Sequence, residues 1–431
     1  MSDTERMTID ERYKYLRAMQ KRYRKAGRVE RSRLLDEMEQ VTGLHRKSLV
    51  RLLGGEIGRQ VRERQRGKRY GRAVKEAVRV IAESLDWVCA ERLQPSLVWM
   101  AEHLERHGEL ELGAEVRSQL ATVSVSTVRR LLADMPRERP RLPRRGSEQA
   151  NRLARTVPAR RIAWDEPQPG HLEVDLVHHC GPSASGQYVH TLQMVDVATG
   201  WSERVAILGR SYLVVRDAFE RILDRLPFTV REVHSDNGSE FLNDHLLRFW
   251  KTRTDEIHLT RSRAWQKNDN RIVEQKNDTL VRAYLGHDRL DTAQHTLLLN
   301  QLYGVMGHYY NLFQPVMRLA EKTPILDPTG RLHHVKRRFD TAQTPVQRLC
   351  VTRRLDPARR LQLQTLRQTL NPRQLRRDIY TLLDQLFALP CAAPEDPSQN
   401  VFLTLFNPPD SMKGEDIPPV TFSSERTVPL R

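Results

Sequence analysis

Apolar positions recur every three or four residues along the N-terminal part of the chain. Tyr13, Leu16 and Met19 stripe one side of a helix predicted over 5–26, with Arg and Lys on its other faces. RSRLLDEMEQVTGLHRKSLVRLL predicts a helix ending near Val41, a turn at Thr42-Gly43-Leu44 and a second helix over 45–53. On that second helix Leu49, Leu52 and Leu53 pack, while Arg46, Lys47, Ser48 and Arg51 project as candidate DNA contacts. The same helix, turn, helix pattern returns at EVRSQLATVSVSTVRRLLAD, with Ser124 or Ser126 as N-cap and Arg129 and Arg130 as candidate DNA contacts. An ordinary helical hairpin is the plainer reading of each unit.

From about residue 165 the period shortens to that of strands. HLEVDLVHHC, QYVHTLQMVDVAT and WSERVAIL predict three strands with turns at GPSASG and Gly200. SYLVVRDAFERILDRL then has helical spacing, FTVREVHSD predicts a strand and NDHLLRFWKTR a helix. EIHLTRS predicts a last strand, and after a polar loop a helix runs from about Arg271 to Leu285. The order is that of a mixed α/β domain with an antiparallel start. Beyond 290 the chain reads as mostly helical, and 391–431 reads as a Pro-rich irregular tail.

These changes of pattern divide the chain into 1–57, a helix-turn-helix domain; 58–71, a basic linker; and 72–134, a second helical unit. An Arg/Pro-rich linker follows over 135–164, then the α/β domain at 165–290, a helical region at 291–390 and the tail. Charge strengthens the picture. Lys and Arg total 71 against 54 Asp and Glu, for a net charge of +17, which favours a polyanionic partner. The excess is concentrated: 135–162 carries nine arginines against two glutamates, and Arg144 and Arg145 there are candidate phosphate contacts. No apolar run is long enough for a membrane span and the N-terminus is no signal peptide. The four cysteines are too scattered for a disulfide framework, so a cytoplasmic location is expected. His178, His179 and Cys180 alternate across a strand, and structural roles are expected for them.

Three acids stand out. Asp175 lies amid apolar strand residues, a costly position for a carboxylate without a partner or metal. Asp236 sits where its strand runs out before Asn237-Gly238, at the kind of strand end where α/β sheets hold ligands. Glu274 opens a helix behind a polar loop, with Ile272 and Val273 to anchor it. Glu240, four residues after Asp236, is expected to begin the next helix instead. Glu173 is expected at an exposed strand position and Asp196 in a turn contact.

LEVDLV, HSDNGSEF and NDNRIVEQKN, in that order and spacing, resemble the Asp-Asp-Glu core of the retroviral integrase superfamily, specifically bacterial insertion-sequence transposases. The resemblance is strong over about 165–290 and looser on either side. It implies an RNase H-like core with Asp175, Asp236 and Glu274 as catalytic residues and ligands of Mg²⁺ or Mn²⁺, two ions being expected with DNA bound. Such a pair activates the attacking oxygen and stabilises the leaving one in an in-line displacement. It also implies a DNA transposase that exposes 3′-OH ends on a mobile element and joins them to target DNA. The partners implied are double-stranded terminal repeats and target DNA, with more than one copy of the chain in the synaptic complex. The His/Cys zinc module of retroviral relatives has no counterpart here, so zinc is not expected. Trp265, Lys267, Lys276, Asn277 and Arg282 are candidates for holding DNA near the ions, with surface charge or loop packing as their alternative. A metal-dependent nuclease and a non-enzymatic DNA-binding regulator on a decayed core are the competing readings.

Overall fold

The computed structural model describes residues 7–58, 70–135, 162–163, 165–236, 249–250, 257–263, 269–326, 332–352, 354–392 and 399–406. Most of both linkers, with Arg144 and Arg145, lies outside the described residues. So do Glu240, Trp265, Lys267, most of the predicted helix after HSDNGSEF and most of the tail. The chain divides into two compact units, Met1–Arg69 and Tyr70–Arg431.

In the first unit α1 (Ile9–Lys25), α2 (Arg28–Thr42) and α3 (Arg46–Gly54) enclose a small core of Leu16, Leu34, Leu35, Met38, Leu49 and Leu53. Thr8 and Glu11 form a capping box at the start of α1, satisfying orphan amides reciprocally. Gly43 ends α2 in the left-handed region at φ 66°, where a glycine pays no Cβ penalty, and so makes the turn into α3. His45 caps α3 by accepting from the Lys47 amide.

The second unit is built on a five-stranded mixed sheet. The strands β1 (His171–His178), β2 (Val189–Asp196), β3 (Ser202–Leu208), β4 (Glu232–Ser235) and β5 (His258–Arg261) lie in the order β3-β2-β1-β4-β5. β1, β2 and β3 pair antiparallel, whereas β4 runs parallel to β1 and β5 parallel to β4. This is the order and polarity of an RNase H-like core. Gly200, at φ 76°, lets the β2–β3 hairpin turn tightly.

Helices α4 (Arg72–Ser84), α5 (Ala90–Leu93), α6 (Leu97–Arg106), α7 (Ala114–Thr122) and α8 (Val125–Ala133) precede the sheet. Their apolar residues share one core with it, and with α9 (Tyr212–Arg225). Helix α10 begins as Arg271–Lys276, widens into a π-helical turn over Asn277–Arg282 and closes at Ala283–Leu285. After it come α11 (Ala293–His308), α12 (Pro345–Val351), α13 (Pro357–Thr369) and α14 (Pro372–Ala388).

Two features depart from the sequence reading. Within the helical C-terminal region the chain forms an antiparallel hairpin, β6 (Leu319–Leu326) with β7 (Leu332–Phe339). Its strands are charged rather than alternating, and Arg338 pairs with Glu321 (2.9 Å) directly opposite it. Part of the tail is also ordered: a 3₁₀ turn at Val401–Thr404 leads to Phe406, whose amide donates to Asp217 (3.1 Å) on α9. No helix among the described residues is long and apolar enough to cross a membrane.

Candidate active site

β1 and β4 run parallel in register, with Glu173 beside His234 and Val174 beside Ser235. The paired ladder ends there, and Asp175 and Asp236 are the next residues along the two strands. Beneath Asp236, buried His234 is held by Thr260 Oγ1 (2.9 Å) and Ser262 Oγ (3.3 Å). Thr260 also donates to Glu232 (2.6 Å), which meets the His171 ring (2.8 Å). Polar contacts across β1, β4 and β5 thus hold the strand that delivers Asp236.

Asp175 is oriented from two sides. Its Oδ1 accepts from the Leu176 amide (2.8 Å) and its Oδ2 from the Asn277 side-chain amide (2.6 Å). Across β2, Gln193 pairs with Asp175 and then with Arg204 on β3. Arg204 is 2% exposed, and its guanidinium lies over the faces of Tyr303 and Tyr310 (5.6 and 5.5 Å).

Glu173 overturns its expected exposure. The residue is completely buried, and its Oε2 accepts from the amides of Ile272 (2.7 Å) and Val273 (2.9 Å) in the first turn of α10. Burial outweighs these two bonds and pushes its pKa up to about 7. Asn270 adds a second tie, donating to the Val174 carbonyl (3.0 Å). Arg263 and Asp269 (2.8 Å) clamp the ends of the loop before it.

Glu274 is exposed on α10, one helical turn before Asn277, so the two share a face. Asn277 ties that face of α10 to Asp175 on β1. Asp175 thus lies on β1, Asp236 directly follows β4, and Glu274 lies on α10. Among the described residues no group of three or more His, Cys, Asp or Glu side chains is gathered closely enough to hold a metal ion. Like-charged carboxylates repel one another without a counter-charge. The donor set still fits a hard divalent cation: Mg²⁺ takes oxygen ligands and is held by one or two carboxylates together with substrate phosphates.

Asn277 is buried with its amide on Asp175, and half-buried Arg282 donates to the carbonyls of Gly286 (3.1 Å) and His178 (2.8 Å). Lys276 is half-buried, and desolvation, with the Arg92 and Arg204 charges, pushes its pKa down to about 7. Of the three expected DNA contacts on α10, Asn277 and Arg282 thus bond inward. Asp196 is buried in the β2–β3 turn, accepting from the Gly170 amide (2.8 Å) and from the amide and hydroxyl of Thr199 (2.8 and 2.6 Å); burial pushes its pKa up to about 6.

On the helix-turn-helix units, Lys47 and Arg51 are exposed and Ser48 half-buried, while Arg46 pairs with Asp36 and donates to Ser32 (2.6 Å). Arg129 pairs with Glu91, and Arg130 donates to Thr127 (3.2 Å).

No protein-family model matches the chain. Among solved structures it is similar to the catalytic core domain of BIV integrase, with 21% identity and a TM-score of 0.21 over 26% of this chain and 66% of that one. It is also similar to the simian T-cell lymphotropic virus intasome in complex with a PP2A regulatory subunit, with 13% identity and a TM-score of 0.27 over 53% and 72%. Both scores are low, and the fold assignment rests on strand order and register instead. A curated relative, the uncharacterized protein y4rM of Sinorhizobium fredii, is 39% identical over 321 residues, which cover 74% of this chain and 91% of the relative. The chain belongs to the same family as y4rM.

Proposed function

We propose that this protein is a DNA transposase with an Asp-Asp-Glu active site, acting on the ends of a mobile element and joining them to target DNA. The observation that supports the reading is the parallel β1–β4 register, after whose last pair Asp175 and Asp236 follow, together with the Asn277 bond that ties α10, the helix carrying Glu274, to Asp175. Mg²⁺ or Mn²⁺ held by Asp175, Asp236 and Glu274 would supply Lewis-acid stabilisation of the charge that develops on phosphate and leaving oxygen.

The protein's own contribution is placement. Asn277 and the Leu176 amide fix the rotamer of Asp175. Glu173 and Asn270 fix α10, and therefore Glu274, over the strand ends. The net charge of +17 suits a DNA partner, and exposed Lys47 and Arg51 on α3 suit contact with it. Handling two element ends at once calls for more than one copy of the chain, and a bacterial cytoplasmic setting follows from that role.

The test incubates the protein and Mg²⁺ with labelled duplexes from the DNA flanking its gene and a target plasmid. Joined product is the expected outcome. Cleavage without joining would make the protein a nuclease, and binding without either would make it a regulator.

A further inference from the structure

Apart from the carboxylates, Tyr70–Arg431 holds a cleft of about 420 Å³ at the outer side of the sheet. The start of β2 and the end of β3 form its floor, and Val401 and Phe402 of the ordered tail segment line it from the other side. One wall is the turn that leads into α9. Ser211 is the N-cap of this 14-residue helix yet makes no side-chain capping bond, so the first-turn amides receive no acceptor from it. Arg210, beside it, is exposed. Among the described residues no carboxylate lines the cleft.

The deeper wall carries the second observation. His190 is 2% exposed and lines the cleft, its ring 4.5 Å from that of Tyr188 and 4.9 Å from that of His178. Its Nδ1 is buried without a hydrogen-bond partner among the described residues. Burial, reinforced by the His178 and Arg210 charges, pushes its pKa down to about 3, so the ring stays neutral at physiological pH. The His190 side chain, an uncapped helix start and an exposed arginine therefore border one space that no carboxylate of the described residues lines. That combination suits a phosphate beside a planar, stackable group.

We propose that this cleft binds one nucleotide unit of a DNA strand, its phosphate at Arg210 and the first turn of α9 and its base or sugar against Tyr188, His190 and Phe402. The assignment rests on the DNA-processing reading above and adds a second contact point to it. His178 pairs with His190, so the cleft begins three residues beyond Asp175 along β1, about 10 Å at 3.3 Å per residue. His190 points to the sheet face opposite Asp175. The nucleotide held there is accordingly not the reacting one but a unit further along a strand that passes over the end of the sheet.

The test uses the full chain and a fluorescein-labelled oligonucleotide, with anisotropy read across a salt series, and a second oligonucleotide carrying 4-thiothymidine for photocross-linking. Arg210→Ala is expected to weaken binding about tenfold and to lower the salt slope by about one. His190→Gln is expected to weaken it to a lesser extent, and the wild-type cross-link should map to the segment 186–214 or to Phe402. Arg360→Ala, which removes an exposed charge elsewhere, controls for net charge and should leave the cross-link in place. If the wild type binds no DNA, the functional reading falls and this inference with it. If DNA binds but Arg210→Ala matches Arg360→Ala and no cross-link maps to the cleft, only the cleft assignment is overturned. A cross-link formed by the free thionucleotide but not by the oligonucleotide would overturn the DNA strand as its occupant.

Discussion

Glu173 and Asp175 lie two residues apart on one face of β1 and are held in opposite ways. Glu173 accepts two backbone amides in full burial, while half-buried Asp175 accepts its neighbour's amide and one side-chain amide. Replacing Glu274 with Gln keeps its volume and removes its charge. DNA joining should be abolished while oligonucleotide affinity, measured by anisotropy, stays within about twofold; normal joining would remove Glu274 from the site. Asn277→Ala acts through the rotamer of Asp175, so the expected loss is about 10–100-fold in joining rate, again with binding retained. Asp196 gives a pH prediction. Its folded pKa, about 6, exceeds that of an unfolded aspartate, so the folded state holds its proton more tightly. Its contribution is therefore undiminished below about pH 4 and declines by up to about 3 kcal/mol as pH rises to about 6. Asp196→Asn should erase that slope, read as the difference in thermal midpoint between wild type and variant across this range.

At the scale of elements, α10 is the part on which the site depends, and its docking is the part least visible in the chain. Glu173→Ala would leave two buried amides without an acceptor, at about 1–3 kcal/mol each. Faster hydrogen exchange across 271–285, together with slower joining, would show that the helix has loosened; unchanged exchange would show that Glu173 does not hold it. The strands were legible because their apolar runs are bounded by glycines and prolines, and Asp175 stood out because a carboxylate amid apolar strand residues is expensive. That same reasoning applied with equal force to Glu173, a carboxylate in HLEVDLV, yet strand alternation alone does not say which face a helix a hundred residues later will cover. Nor does spacing reveal a π-helical turn, which arises from packing. Asn277, Lys276 and Arg282 read as a DNA-facing group because polar residues near a loop usually face solvent. Tertiary contacts hold Asn277 on Asp175 and Arg282 on the His178 carbonyl. The β6–β7 hairpin escaped notice because cross-strand ion pairs leave no alternating apolar signal.

At the scale of the molecule, the two units have separate cores, and their stabilities should separate too. Calorimetry should show an unfolding profile that one two-state transition does not fit. Leu49→Ala, in the small core of Met1–Arg69, should lower only the weaker transition, by about 2–5 kcal/mol. A uniform shift of the whole profile would mean that the units unfold as one. The helical hairpin over 114–133 read as a second DNA-binding module, yet its buried residues belong to the core of the sheet unit. Its spacing announces a helix pair, whereas its partner is set by apolar surface far away in the chain.

The bonds from Glu173 to Ile272 and from Asp175 to Asn277 span 99 and 102 positions. During synthesis at about 5–20 residues per second, β1 therefore waits some ~5–20 s for the helix that satisfies it. Over that interval a nascent chain carries a buried-type carboxylate with nothing to accept from, and its Asp175 lacks the amide that sets its rotamer. The site thus assembles late, as translation of α10 finishes, and a ribosome stalled before residue 271 would carry strands without a working centre.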